Sequence, residues 1–218
     1  NEFFEETNSI EVSNPSILEL IYGIFFSPIR TLRLLTGEPR LGWGVAIFIA
    51  TYGFQSLMNY ALGGKVAVNL GPVPALEQIA DSWLKQGWVI GLPFLSIFWF
   101  LLASCYHSIA GLFKQEGTIQ GLLSGFGFAS LPLLVNTLIE FLRHIFKLEN
   151  LAFTLLSFGV TVWLIVLQII VLRENYKIST SKAVLIYLLP LIVFIGALIF
   201  TITIFFSTML PLFEQLYL

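Results

Sequence analysis

This 218-residue chain predicts an all-α fold, a polytopic membrane helix bundle with five transmembrane helices. Three observations carry that prediction. Hydrophobic residues make up 57% of the sequence and charged residues 11%, where a soluble domain carries about a quarter charged. The mean hydropathy is +0.88. Asp, Glu, Lys and Arg are absent from five stretches, 41–64, 86–113, 117–139, 150–172 and 183–213, each long enough to supply the about 20 apolar residues that cross a bilayer as a helix.

The first 16 residues, NEFFEETNSIEVSNPS, are acidic and polar and read as a disordered N-terminus. Residues 17–40 follow as an apolar segment broken at Pro28 and studded with Glu19, Arg30 and Arg33. This suits a helical segment in the membrane interface, its cations at the headgroups and its leucines below them. The membrane domain occupies 41–213, with spans at 41–64, 86–113, 117–142, 150–173 and 183–213, and 214–218 form a C-terminal tail. Two helices and a turn would not fit into 183–213, so this stretch is one long span. Between spans one and two, GPVPALEQIADSWLKQG reads as a second surface helix that starts at Pro74 and places Leu76, Ile79, Ala80 and Trp83 on one face.

Seven Lys and Arg fall on one side of these spans (Arg30, Arg33, Arg40, Lys114, Arg173, Lys177, Lys182) and four on the other (Lys65, Lys85, Arg143, Lys147). The positive-inside rule therefore predicts a cytosolic N-terminus and an outward C-terminus. A net charge of -2 offers no general attraction to nucleic acid. The one cysteine, Cys105, has no partner in the chain, and disulfides carry no information about compartment.

Span three spaces small residues four apart, Gly117, Gly121, Gly125 and Ala129, ahead of Pro132. In lipid, helix association depends on how closely backbones approach, so this glycine zipper is a groove for another helix. Its occupant is a helix of the same chain or a second copy in a homo-oligomer. Pro132 is expected to kink the span, and Pro93 and Pro190 can do the same in spans two and five.

Ionisable groups inside a membrane are costly and are functional candidates. Asn136, Glu140 and His144 recur every four residues and, with Arg143, form a polar stripe at the outer end of span three. Glu140 is expected to pair with His144, or with Lys65 or Lys85 from the outer loop. His107 in span two reads as a packed histidine bonded to a neighbouring backbone group or hydroxyl. Depth argues against a metal site joining His107, Glu140 and His144, because Glu140 lies about 35 Å along the axis from the end of span three near which His107 sits, and only a sharply broken helix at Pro132 could bring them together. No phosphate-binding loop, His-Glu-x-x-His or paired-cysteine motif is present. The expectation is a protein without catalytic residues, metal or other cofactors.

The segments FSPIRTLRLLTGEP (26–39), GFGFASLPLLV (125–135) and TVWLIVLQIIVLRENYKISTSKAVLIYLLPLIV (161–193) resemble the Yip-domain family of membrane proteins. Its eukaryotic members are Ypt/Rab-interacting. Small and aromatic residues before Pro132, Trp163 in span four, and a charged turn leading into Ser179, Ala183 and Pro190 carry the resemblance, which extends over about residues 20 to 210. It implies five spans, a cytosolic N-terminus, and a role in membrane traffic or organisation through contacts with membrane lipids and other membrane proteins. The turn holding Arg173, Glu174, Lys177, Ser179 and Lys182 is the candidate cytosolic partner loop. With a short segment ahead of span one, the chain is more similar to a prokaryotic member. That resemblance implies a cytoplasmic (inner) membrane location and makes a small GTPase partner unexpected. The alternative function is a transporter or channel for a small neutral solute or lipid, lined by Asn59, Ser104, His107, Asn136 or Gln168.

Overall fold

The computed structural model describes residues 15–62, 74–147 and 151–216, and the side chains of these except 74–90 and 208–216. The acidic segment up to residue 14, Lys65 and the Lys85 side chain lie outside the described residues. Eight α-helices follow in order: α1 (Ile17–Phe26), α2 (Pro28–Gly37), α3 (Leu41–Ala61), α4 (Pro74–Leu112), α5 (Ile119–Ala129), α6 (Pro132–Phe146), α7 (Leu151–Tyr176) and α8 (Thr180–Leu216). Among the described residues, five segments are long and apolar enough to cross a membrane: Leu41–Ala61, Gly91–Leu112, Ile119–Phe146, Leu151–Tyr176 and Thr180–Ser207.

A capping box starts α1. The Ser16 hydroxyl accepts from the Glu19 N–H at 3.3 Å, and the Glu19 carboxylate accepts from the Ser16 N–H at 2.8 Å, so two otherwise orphaned amides are satisfied. The helix stops at Ser27 because Pro28 follows, and Pro28 then opens α2, where its missing N–H costs nothing. The two short helices fold against each other with Thr31 seated on Gly23. Leu20, Ile24, Leu32 and Leu35 are fully buried, α2 packing on α5 and α7. The interfacial segment is thus built into the bundle, while Leu18, Tyr22, Phe26 and Ile29 remain exposed on its outer side.

One expectation is overturned in the second span. The surface helix starting at Pro74 and span two are one continuous helix, α4. Between Trp83 and Gln86 there is neither proline nor glycine, and the single Gly87 beyond them does not end a helix already in progress. The C-terminal tail is likewise absent as a separate element, since α8 runs to Leu216.

The prolines act unequally. Helices α4 and α8 run through Pro93 and Pro190, whereas Pro132 breaks span three into α5 and α6 instead of bending it. At the break the chain tightens to i→i+3 bonds. Ser130 N–H bonds to the Gly127 carbonyl, Leu131 to Phe128, Leu133 to Ser130 and Leu134 to Leu131, all within 2.9–3.2 Å. The Phe128 carbonyl that proline leaves without its usual partner is thereby used.

Helix α5 is the centre of the molecule. Every residue from Gly121 to Ala129 is buried, enclosed by α2, α3, α4 and α7. Gly44, Ile47, Phe48 and Thr51 place one face of α3 against it, at helical spacing. At the entry to α3 the Arg40 N–H bonds to the Ser124 hydroxyl at 3.2 Å, and the Arg40 guanidinium bonds to the Pro15 carbonyl at 2.7 Å. At the other extreme is α8. Ala183 and Ile186 are buried, yet every residue from Leu191 to Ser207 is exposed.

Candidate functional site at the α5–α7 junction

The glycine groove and the charged segment after span four, two features far apart in sequence, meet. A Cβ on Gly121 would collide with the Asn175 side chain, one on Gly125 with Val171, and one on Gly117 with the Tyr176 ring. The occupant of the groove is therefore the C-terminal end of α7. Gly117 belongs to the groove without belonging to the helix, because Thr118 is the N-cap of α5 and accepts from the Gly121 N–H at 3.0 Å. Ala129, at the far end of the stripe, is fully buried, as is Pro132.

Polar bonds lock the same junction. The Asn175 side-chain amide donates to the Thr118 carbonyl at 3.0 Å, and Asn175 is 6% exposed. The Tyr176 hydroxyl lies 2.9 Å from His107 Nδ1, so His107 is the packed, hydroxyl-bonded histidine that its apolar surroundings suggest. Arg33 of α2 donates through Nε to Glu174 at 2.7 Å, and Arg173 donates to the other Glu174 oxygen at 2.7 Å. The carboxylate raises the Arg33 guanidinium above its ordinary value, through the hydrogen bond first and the charge second.

The candidate partner loop thus divides in two. Its first half, Arg173 to Tyr176, is committed to internal contacts. Lys177, Ser179, Thr180, Ser181 and Lys182 are exposed. Lys177 has φ 52°, and the Ile178 N–H reaches back to the Arg173 carbonyl at 3.1 Å, the bond that closes a helix C-terminus through a left-handed residue.

The polar stripe of α6 lies at the opposite end. Glu140 pairs with Arg143 at 2.7 Å and accepts from the Ser157 hydroxyl of α7 at 3.2 Å. The expected partner His144 is exposed and makes no such bond, because the three-residue spacing brings a long arginine to the carboxylate where the imidazole does not reach. Asn136 Oδ1 is buried and has no hydrogen-bond partner among the described residues. No cluster of three or more His, Cys, Asp or Glu that could hold a metal occurs among the described residues.

Sequence reasoning missed the tightest contact, between Gly127 and Gly44. The Gly42-Trp43-Gly44 and Gly125-Phe126-Gly127 pairs were its only signal, and the two glycines that cross, Gly44 and Gly127, lie off the four-residue stripe. It also missed the Tyr187 hydroxyl donating to Gln168 at 2.8 Å.

A closed bundle of long apolar helices, held by small-residue crossings and a few satisfied polar bonds, defines a polytopic α-helical membrane protein. The Yip1 domain family model matches residues 22–201, and the chain belongs to that family. No curated protein and no solved structure matches the chain.

Proposed function

We propose that the protein is a non-enzymatic membrane organiser or adaptor, acting through contacts with other membrane proteins. The observation that carries this reading is the packing of α5, whose residues are buried consecutively from Gly121 to Ala129. The bundle's centre is filled by backbone and side chains where a transport path would need polar space. Several polar groups inside the spans are occupied too. His107 is bonded to Tyr176, Gln168 to Tyr187, and the Ser104 hydroxyl to the Phe100 carbonyl of its own helix. Ser124 accepts from the Arg40 N–H and Ser130 donates to the Gly127 carbonyl, so neither hydroxyl is poised as a nucleophile. The exposed turn at 177–182 and the uncovered faces of α4, α7 and α8 are the surfaces left for partners, with that turn and the N-terminus on the cytosolic side.

The buried, unpartnered Asn136 Oδ1 favours the second reading, a path for a small neutral solute or lipid. Purification in nanodiscs from the native membrane, with quantitative mass spectrometry of what accompanies the protein, separates the two. A stoichiometric protein partner, lost when Lys177, Ser179 and Lys182 are replaced by alanine, is the expected result. Absence of any protein partner together with substrate-dependent flux in proteoliposomes would overturn the adaptor reading.

A further inference from the structure

The elbow between α1 and α2 carries a surface crevice of about 330 Å³ lined by Ser27, Pro28, Ile29, Arg30 and Arg33. Its two arginines differ. Arg33 uses Nε for Glu174 and remains 69% exposed, which leaves its terminal amino groups open. Arg30 is exposed and has no ion-pair partner among the described residues. The C-terminal end of α1 and the N-terminal end of α2 meet at Ser27, so their opposed helix dipoles offset and the positive potential here is that of the two arginines.

The surroundings of this cationic crevice are apolar. Phe26, immediately before Ser27, is 70% exposed and stacks on Tyr22 with ring centroids 4.3 Å apart. Ile29, in the crevice wall, is also exposed. An acidic peptide would satisfy the arginines and leave the exposed aromatic pair without an apolar partner. A phospholipid satisfies both with one molecule, its phosphate at headgroup level and its chains along the aromatic face.

We propose that the α1–α2 elbow binds an anionic phospholipid, its phosphate held by Arg30 and Arg33 and its acyl chains against Phe26 and Ile29. Arg33 then joins the lipid to Glu174 of α7, so that the lipid is tied to the bundle through α2. This site stands whether or not the adaptor reading holds.

The test is native mass spectrometry of the full chain titrated with phosphatidylglycerol and, separately, phosphatidylcholine. The protein is expected to retain phosphatidylglycerol preferentially. Arg30→Gln is expected to weaken that retention about fivefold, the equivalent of the ~1 kcal/mol that one surface cation is worth against an anionic membrane. Arg30→Lys keeps the charge and is expected to recover much of it, while Lys114→Gln, at an exposed cation that does not line the crevice, leaves it unchanged. Equal retention of the two lipids would overturn the site. An equal loss in Arg30→Gln and Lys114→Gln would do so as well, by showing a diffuse charge effect. Displacement of the lipid by an equal concentration of inorganic phosphate would reduce the site to a phosphate contact and overturn the lipid assignment.

Discussion

Gly44 of α3 and Gly127 of α5 cross backbone to backbone. A methyl group on Gly127 would overlap the Gly44 carbonyl, and one on Gly44 would stand 2.7 Å from the Ser124 Cα. Both obstacles are main chain, which cannot swing aside as a flexible side chain does. Gly127→Ala and Gly44→Ala are each expected to destabilise by about 1–3 kcal/mol, the range for overpacking a tight interior. Gly159→Ala and Gly196→Ala, where nothing lies within 4 Å of the added methyl, should be neutral or slightly stabilising. Thermal unfolding of the four variants in one lipid system checks this, and similar losses at all four positions would refute the close crossing.

Asn175 supplies the hydrogen bond that closes the glycine groove. Asn175→Leu deletes the donor to the Thr118 carbonyl and forces a bulkier branch towards Gly121. The Thr118 carbonyl keeps its bond from the Leu122 N–H at 3.1 Å, so the loss is that of one net hydrogen bond, about 0.5–1.5 kcal/mol. Restoring the space elsewhere would not rescue the variant, because Gly121 already has no side chain to give up. An unchanged unfolding temperature would mean that this bond contributes nothing.

The Arg33–Glu174 pair fastens α2 to α7. Glu174→Gln leaves two arginines facing a neutral amide, and α2 should open more often. Hydrogen–deuterium exchange is expected to rise across residues 28–37 and to stay unchanged in α3. Uniform exchange in both would assign the hold on α2 to the buried Leu32 and Leu35 alone.

Lys177 sits in a left-handed conformation with φ 52°, which strains an L-residue carrying a Cβ. Lys177→Gly relieves that strain against a larger unfolded-state entropy, for a net gain of about 0.5–1 kcal/mol. A higher unfolding temperature than wild type is the expected reading, and a decrease would show that the lysine side chain itself holds the turn.

The five spans were legible because the cost of a charge in hydrocarbon writes each one as a charge-free run. The face of α5 that needs glycine was legible from four-residue spacing, but its occupant was not, since apolar helices offer no complementary pattern. The Arg33–Glu174 bond joins residues 141 positions apart, and nothing in either local sequence names the other. Glu140 went astray through choosing between neighbours at i+3 and i+4, which side-chain length decided. The fusion of the predicted surface helix with span two came from expecting amphipathic and apolar segments to separate, although one helix can leave a surface and enter a membrane without interruption.

The burial of α5 also has a history in time. Thr118 and Asn175 are 57 residues apart, and at the usual pace of synthesis α7 emerges several seconds, roughly 3 to 11, after the groove that it fills. Throughout that interval the glycine face has α2, α3 and α4 for company and lacks its permanent cover. A segment that ends in a protein interior must therefore first be acceptable to lipid. Newborn α5 is a membrane helix by necessity and a core helix only afterwards, and its apolar composition has to serve both surroundings.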